Sequence, residues 1–432
     1  MEKKKLDVGN EIHQFAKELW SINRSITGEG VRKTLEHIKF HLPNLEVNSV
    51  PTGANVFDWT VPREWNVKEA YIISPNGEKI CDFNENNLHL LGYSTPFEGE
   101  VDFDDLKEHL YTLPEQPDAI PYITSYYKER WGFCLSHEQF NDLKEGKYYI
   151  NIDARLFDGV LNYGELVLKG KSSKEVFIST YICHPSMANN ELSGPTVVTY
   201  LAKWLSELKQ LDYTYRIIFI PETIGSITYL SFHHDYMKEN VFAGFNVSCV
   251  GDNRAYSYLP SRNGRTLSDY IAKHVLKNTD PNYKTYTWFD RGSDERQYCA
   301  PGIDLPIASI MRTKYGKYPE YHTSLDDLEN VVTPEGLEGG YWALRRAIEA
   351  IEKSKKYRVT VLCEPQMGKR GLYPTLSTKK SYEQVRLMMD LISLCDGDSS
   401  LVDIAESLGV PVWSLYDLVD TLVSHNLLEV NE

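Results

Sequence analysis

Apolar residues recur at Ile12, Phe15, Ala16, Leu19 and Trp20, and again at Val31, Leu35, Ile38 and Leu42. That near-3.6 spacing predicts helical structure over about residues 8–42. From about residue 51 to 153 the texture changes. Short alternating or apolar runs (69–73, 79–83, 131–135 and 148–152) are separated by turns bearing Pro, Asn and Gly, which predicts a small β-rich unit. From about Gly164 to Lys356, strand-like apolar runs alternate with longer amphipathic ones, the pattern of an α/β layer architecture. After a Pro- and Gly-bearing stretch at 364–374, a short helical module fills residues 381–432. No internal repeat or low-complexity segment interrupts this order.

Four runs in the α/β region end in residues with chemistry. Val176–Cys183 is a near-continuous apolar and β-branched run, as a buried central strand requires, and it ends at His184. Tyr215–Pro221 ends at Glu222, Phe245–Gly251 ends at Asp252, and Leu305–Met311 runs into a loop that delivers His322. Open α/β sheets gather ligands outside the carboxyl ends of their strands. A single histidine after a strand is more often a hydrogen-bonded structural group. Two histidines and two carboxylates so placed fit a zinc or similar divalent site. The small-residue segment Pro185–Gly194 then feeds a helix predicted over Val197–Leu208, and a loop of this kind permits close backbone approach to a bound group. Glu191 lies in it, either as a metal ligand or as an acid complementing the helix dipole.

These residues carry a family resemblance. The order His184, Asn189–Gly194, Pro221–Ser226, Val250–Asp252 and Tyr321–Val331 resembles the co-catalytic zinc aminopeptidases of the leucyl-aminopeptidase and glutamate-carboxypeptidase type. His322-Thr-Ser followed by Asp326-Asp327 is the most specific block, and Gly292–Tyr298 resembles a Ser-Asp loop of the same group. The whole chain is similar to a bacterial branch of aminopeptidase-like proteins with an inserted β-domain and a C-terminal winged helix. The resemblance implies a mixed central sheet flanked by helices over residues 1–50 and 155–360, an inserted β-rich domain at 51–154 and a winged-helix domain at 375–432.

It also implies Zn2+, one ion or two, and a metal-dependent hydrolase of amide or peptide bonds acting on a small peptide or aminoacyl substrate. Three positions depart from the family: Asn190 replaces a bridging Asp, Thr223 the second Glu of a Glu-Glu pair, and Ser248 an Asp. A single ion held by His184, His322 and one carboxylate suffices for catalysis. Glu191 is the first choice for that carboxylate, with Glu222 as general base; alternatively Glu222 is the ligand. Asp252 is expected to ligate metal or to accept a hydrogen bond from His184, unless it is a solvated turn residue. Asn190, Asp294 and Glu295 are the expected substrate-binding residues, the two acids receiving a substrate ammonium group. Arg291 and Arg296 flank those acids, so a structural ion-pair network is the competing reading. Tyr256–Gly264 is expected to line the cleft. The alternative function is a catalytically weakened aminopeptidase fold serving as a binding or assembly module.

Ser399–Val423 follows a helix-turn-helix pattern, with Gly409-Val410 as the turn and Trp413–Val423 as the second helix. Its charge opposes DNA binding: residues 381–432 hold ten acids and one base, Arg386, whereas DNA affinity rests on Lys and Arg. Protein contact or homo-oligomerisation through this module is expected instead. The segment accounts for −9 of the net charge of −15 over 432 residues, leaving the catalytic-looking body nearly neutral for its size. No apolar run reaches the roughly 18 residues of a membrane span, and the N-terminus lacks a signal-peptide core. Seven scattered cysteines form no disulfide framework. A cytoplasmic protein without nucleic-acid or membrane partners is the expectation.

Overall fold

The computed structural model describes residues 8–126, 128–372 and 379–431. The expected domain boundary at 375 therefore lies outside the described residues. The chain divides into two compact units, Met1–Asp269 with Lys284–Trp342, and Tyr270–Tyr283 with Ala343–Glu432.

An eight-stranded sheet organises the first unit. Its strands are β1 (Glu46–Pro51), β2 (Val160–Leu168), β3 (Glu175–Tyr181), β4 (Thr214–Ile220), β5 (Val241–Asn246), β6 (Ser257–Leu259), β7 (Lys284–Thr285) and β8 (Ile307–Met311), in the order β1-β2-β4-β3-β5-β8-β6-β7. The central strands β4, β3, β5 and β8 are parallel, while β1–β2, β2–β4 and β6–β8 pair antiparallel, so the sheet is mixed. All seven residues of β3 are buried, which is why that run is apolar without alternation. Its side chains serve two layers. Thr180 faces the helix Ser193–Glu207, where a Cβ on Gly194 would come 2.5 Å from the Thr180 hydroxyl and 2.8 Å from the Val247 carbonyl. Phe177 and Ser179 instead meet the rings of Tyr229 and Tyr298.

The predicted N-terminal helical region consists of two helices, Val8–Leu19 and Glu29–His41, joined by a tight loop. Gly30 permits that loop, since a Cβ there would lie 1.9 Å from the Asn23 carbonyl oxygen. Two predicted elements shift. The helix expected from Val197 starts at Ser193 and is preceded by a π-helical turn, Ala188–Leu192. The strand expected over Phe245–Gly251 begins at Val241 and ends at Asn246. Beyond it the backbone N–H groups of Val250 and Gly251 are taken by the side chains of Ser193 and Asn189, which draws the chain out of the ladder.

Between β1 and β2 lies the β-rich insertion, a four-stranded antiparallel sheet of Lys79–Ile80, Glu64–Ile73, Lys147–Phe157 and Phe97–Asp102. Residues 120–124 of the insertion reach the loop that follows β8: Tyr122 N–H donates to the His322 carbonyl at 2.9 Å, and Ser324 N–H to that of Ile120.

The second unit contains a three-stranded sheet of Lys356–Val359, Asp396–Ser400 and Leu428–Asn431, with helices Lys379–Leu394, Leu401–Leu408 and Tyr416–Ser424. Leu401–Leu408 carries a Ser400/Asp403 capping box and stops at Gly409, whose φ of 68° is the left-handed cap that glycine favours. The expected second helix splits into a 3-10 turn, Val412–Ser414, and Tyr416–Ser424. His274 anchors this region from the helix Leu267–Thr279: its Nε2 accepts from Val412 N–H at 3.0 Å, and its Nδ1 lies 2.6 Å from Glu406.

Candidate metal-hydrolase site

The site grows from the carboxyl ends of β3 and β4. Tyr181 and Ile220 are register partners, so the two chains leave the sheet side by side and bring His184 and Glu222 together. Glu222 N–H donates to Cys183 Sγ, and His184 Nε2 lies 3.8 Å from Glu222 Oε2. The loop after β8 adds His322, whose ring centroid is 5.8 Å from that of His184. Tyr122 of the insertion packs edge-on against both imidazoles, at 5.3 and 5.2 Å. Thr223 and His322 hold φ near +60°, a conformation costly for residues with a Cβ and concentrated at functional sites.

A buried pair behind His184 fixes its orientation. Glu191 Oε2 accepts from His184 Nδ1 at 2.9 Å and from His184 N–H at 3.1 Å. Arg24, from the loop between the first two helices, sets Nε 3.2 Å from Glu191 Oε1, and neither side chain is exposed to solvent. The same guanidinium donates to the carbonyls of His184 and Leu19 at 3.0 and 2.7 Å. Glu191 therefore directs His184 Nε2 into the cleft, the task proposed from sequence for Asp252. No sequence signal marked Arg24.

Other sequence-predicted residues lie elsewhere. Asp252 is buried and consumed by the Asn189 amide, Arg254 N–H and both the N–H and hydroxyl of Thr313, so it does not face His184. Asp294 accepts from Thr223 N–H and Ser226 Oγ, and burial followed by the nearby Glu222 charge pushes it up to about 7. Glu295 accepts from Gly292 and Ser293 N–H, Tyr315 OH and the Asn246 amide. Both acids are fully buried structural acceptors, and neither receives an ion pair from Arg291 or Arg296 among the described residues. Asn190 is buried, with its N–H on Asp326 and its side-chain oxygen toward Tyr181 OH. Tyr256–Gly264 turns into β6, where Tyr258 and Ser261 bind buried Asp269.

The cleft itself, about 530 Å3, is walled by His184, Glu222, Arg296 and His322 from the main fold and by Trp59, Tyr122 and Tyr126 from the insertion. Burial raises Glu222 above its ordinary carboxylate value, with His184 opposing that rise. It also lowers the His322 imidazole to about 3, so that ring is neutral.

Which donors suit a metal follows from these contacts. The tight cluster Cys183, His184 and Glu191 has its donor atoms within 4.8 Å of one another. It is a poor site. His184 Nδ1 and Glu191 already face each other, Arg24 supplies a cation there, and burial pushes the Cys183 thiol up to about 11. The outward set of His184 Nε2, His322 and Glu222 has the two-imidazole, one-carboxylate chemistry of a catalytic zinc site, with His184 oriented by a carboxylate as such ligands usually are. These three side chains could hold one ion.

A mixed sheet with helices on both faces and a histidine and a glutamate at adjacent parallel strand ends defines an aminopeptidase-like fold. Residues 13–354 match the family described as a domain of unknown function (DUF4910), and the chain belongs to that family. Residues 355–430 match a winged helix-turn-helix, so the strand Lys356–Val359 is part of that module. The chain is 43% identical over 426 residues, covering 98% of itself and 97% of the relative, to a Clostridium acetobutylicum protein provisionally named a polysaccharide biosynthesis protein with an aminopeptidase-like domain. It is similar to a crystal structure from the same organism, provisionally designated a peptidase, with TM-score 0.90, 42% identity and coverage of 98% of this chain and 96% of that one. It also shares the fold of a zinc aminopeptidase from Bacillus subtilis, with TM-score 0.57, 12% identity and coverage of 79% and 94% of the two chains. Among the described residues no helix is long and apolar enough to cross a membrane.

Proposed function

We propose that the chain is a metal-dependent hydrolase of amide or peptide bonds in a small peptide or aminoacyl substrate. The observation that carries this reading is the convergence of His184, Glu222 and His322 in one cleft at the carboxyl ends of β3 and β4. His184, His322 and Glu222 would hold a single divalent ion, zinc by analogy with the aminopeptidase neighbours. Such an ion polarises a carbonyl and makes water a nucleophile near neutral pH. Glu222, beside His184, would also take the proton from the attacking water and return it to the leaving nitrogen. Glu191 keeps His184 Nε2 directed at the cleft, and Arg24 neutralises Glu191. Trp59, Tyr122 and Tyr126 hold the apolar part of the substrate and exclude water.

The Clostridium relative's name assigns that protein to polysaccharide biosynthesis; for this chain we take that as the setting, with the amide borne by a small building block. A cytoplasmic location accords with seven free cysteines, six of them buried. The acidic winged helix is assigned to protein contact rather than DNA. The test is zinc content and turnover of a panel of small amides, aminoacyl and N-acylated, by the purified protein. Near-stoichiometric zinc and turnover, both lost in His184→Ala and His322→Ala, are expected. Folded, metal-free and inactive protein would instead leave a weakened fold acting as a binding module.

A further inference from the structure

The charges around Glu222 narrow the substrate class. An aminopeptidase must offer a carboxylate to the free α-ammonium of its substrate. Asp294 and Glu295, the acids expected for that task, are buried, accept from backbone and hydroxyl donors through Asp294 Oδ1 and Glu295 Oε1, and do not line the cleft, although Asp294 Oδ2 has no partner. Among the described residues lining the cleft, Glu222 is the one carboxylate, and the chemistry claims it.

Among the described residues the wall carries one permanent positive charge, Arg296, which is exposed to solvent. Its Nη2 donates to Thr223 Oγ1 at 2.7 Å, while Asp294 holds Thr223 N–H at 2.8 Å. That clamp keeps the strained Thr223 backbone in place and fixes the guanidinium beside Glu222. Further N–H donors of the fork remain for a ligand, and the planar fork matches carboxylate or phosphate oxygens in a bidentate manner. Trp59 and Gln297 also border a second hollow of about 370 Å3, bounded by Phe57, Leu230 and Ile303; its one lining carboxylate among the described residues, Asp58, does not line the cleft that holds Glu222.

We infer that the substrate is an N-acyl amide with no free α-ammonium, carrying a carboxylate or phosphate that docks on Arg296 while its apolar portion extends past Trp59. The inference rests on the amide-hydrolase reading of the site. Its experiment is calorimetric binding to the full-length, zinc-loaded protein of three probes: N-acetyl-L-glutamate, N-acetylglucosamine 1-phosphate and L-leucinamide.

At least one of the two anions is expected to bind about tenfold or more tighter than L-leucinamide, the better one identifying the acidic group. Arg296→Gln should weaken that anion by about tenfold, and Arg296→Lys by less, with L-leucinamide little changed. Tighter binding of L-leucinamide, no anion binding, or anion affinity unchanged in Arg296→Gln overturns the inference. Should Arg296→Gln not fold, Arg296→Lys carries the test through its loss of bidentate contact. Turnover separates the two claims. Anion binding without hydrolysis of any amide sinks the hydrolase reading and leaves the anion site, whereas hydrolysis of L-leucinamide with no anion binding does the reverse.

Discussion

Arg24→Met tests the buried pair on which the orientation of His184 depends. Arg24 and Glu191 have no solvent-exposed side-chain surface, and the guanidinium is held by two carbonyls besides the carboxylate. Removing one member of such a pair leaves the other as an uncompensated buried charge, a loss of about 3–5 kcal/mol. Methionine replaces most of the arginine stem, so a cavity contributes little of that. Glu191→Gln alone strands the arginine and should cost a similar amount. The double variant Arg24→Met/Glu191→Gln removes both charges while the amide oxygen still accepts from His184 Nδ1. It should recover about 2 kcal/mol or more relative to the sum of the single losses. Urea unfolding midpoints, compared at unchanged slope, read these differences. An Arg24→Met protein within about 1 kcal/mol of the parent would refute the claim that this pair is a committed internal salt bridge.

Three further outcomes follow from other parts of the molecule. Glu222→Gln should lose about 100-fold or more in turnover, because an amide cannot take a proton from water, and should hold zinc more weakly, because a neutral amide oxygen is a poor zinc ligand; metal analysis and kinetics on one sample check both halves. Gly194→Ala should destabilise the first unit by about 1–3 kcal/mol through overpacking against Thr180 and Val247, measurable by urea unfolding. In the second unit burial raises Glu406, but Lys277 and His274 more than offset it, so its folded value lies below the ordinary 4.5. Its contribution is therefore complete above about pH 4.5 and is lost as pH falls through the lowered folded value. The protection of the Val412 amide, corrected for the intrinsic pH dependence of exchange, should fall over that acid range in the parent, and the Glu406→Gln variant should show a weaker dependence.

The strand ends were legible because β3 and β4 are buried on both faces and so read as unbroken apolar runs that stop at His184 and Glu222. His322 was legible through the His-Thr-Ser block. What failed was the fate of charges. Asp252, Asp294 and Glu295 looked available because a sequence shows an acid but not the N–H groups that consume it. Those donors come from residues as distant as Asn189 for Asp252 and Thr223 for Asp294. Arg24 was invisible for the same reason: it meets His184 across 160 positions and belongs to a loop between two amphipathic helices. The insertion was recognised as β-rich from its alternation, but its part in the cleft depends on Tyr122 docking onto the His322 loop, a contact set by tertiary packing alone.

The central claim is that one metal ion sits on the outward face of His184, and an anomalous-scattering map at the zinc edge tests it most directly. One peak shared by His184 Nε2, His322 and Glu222 is the predicted result. Two peaks, or one peak at Cys183 and Glu191, would contradict it.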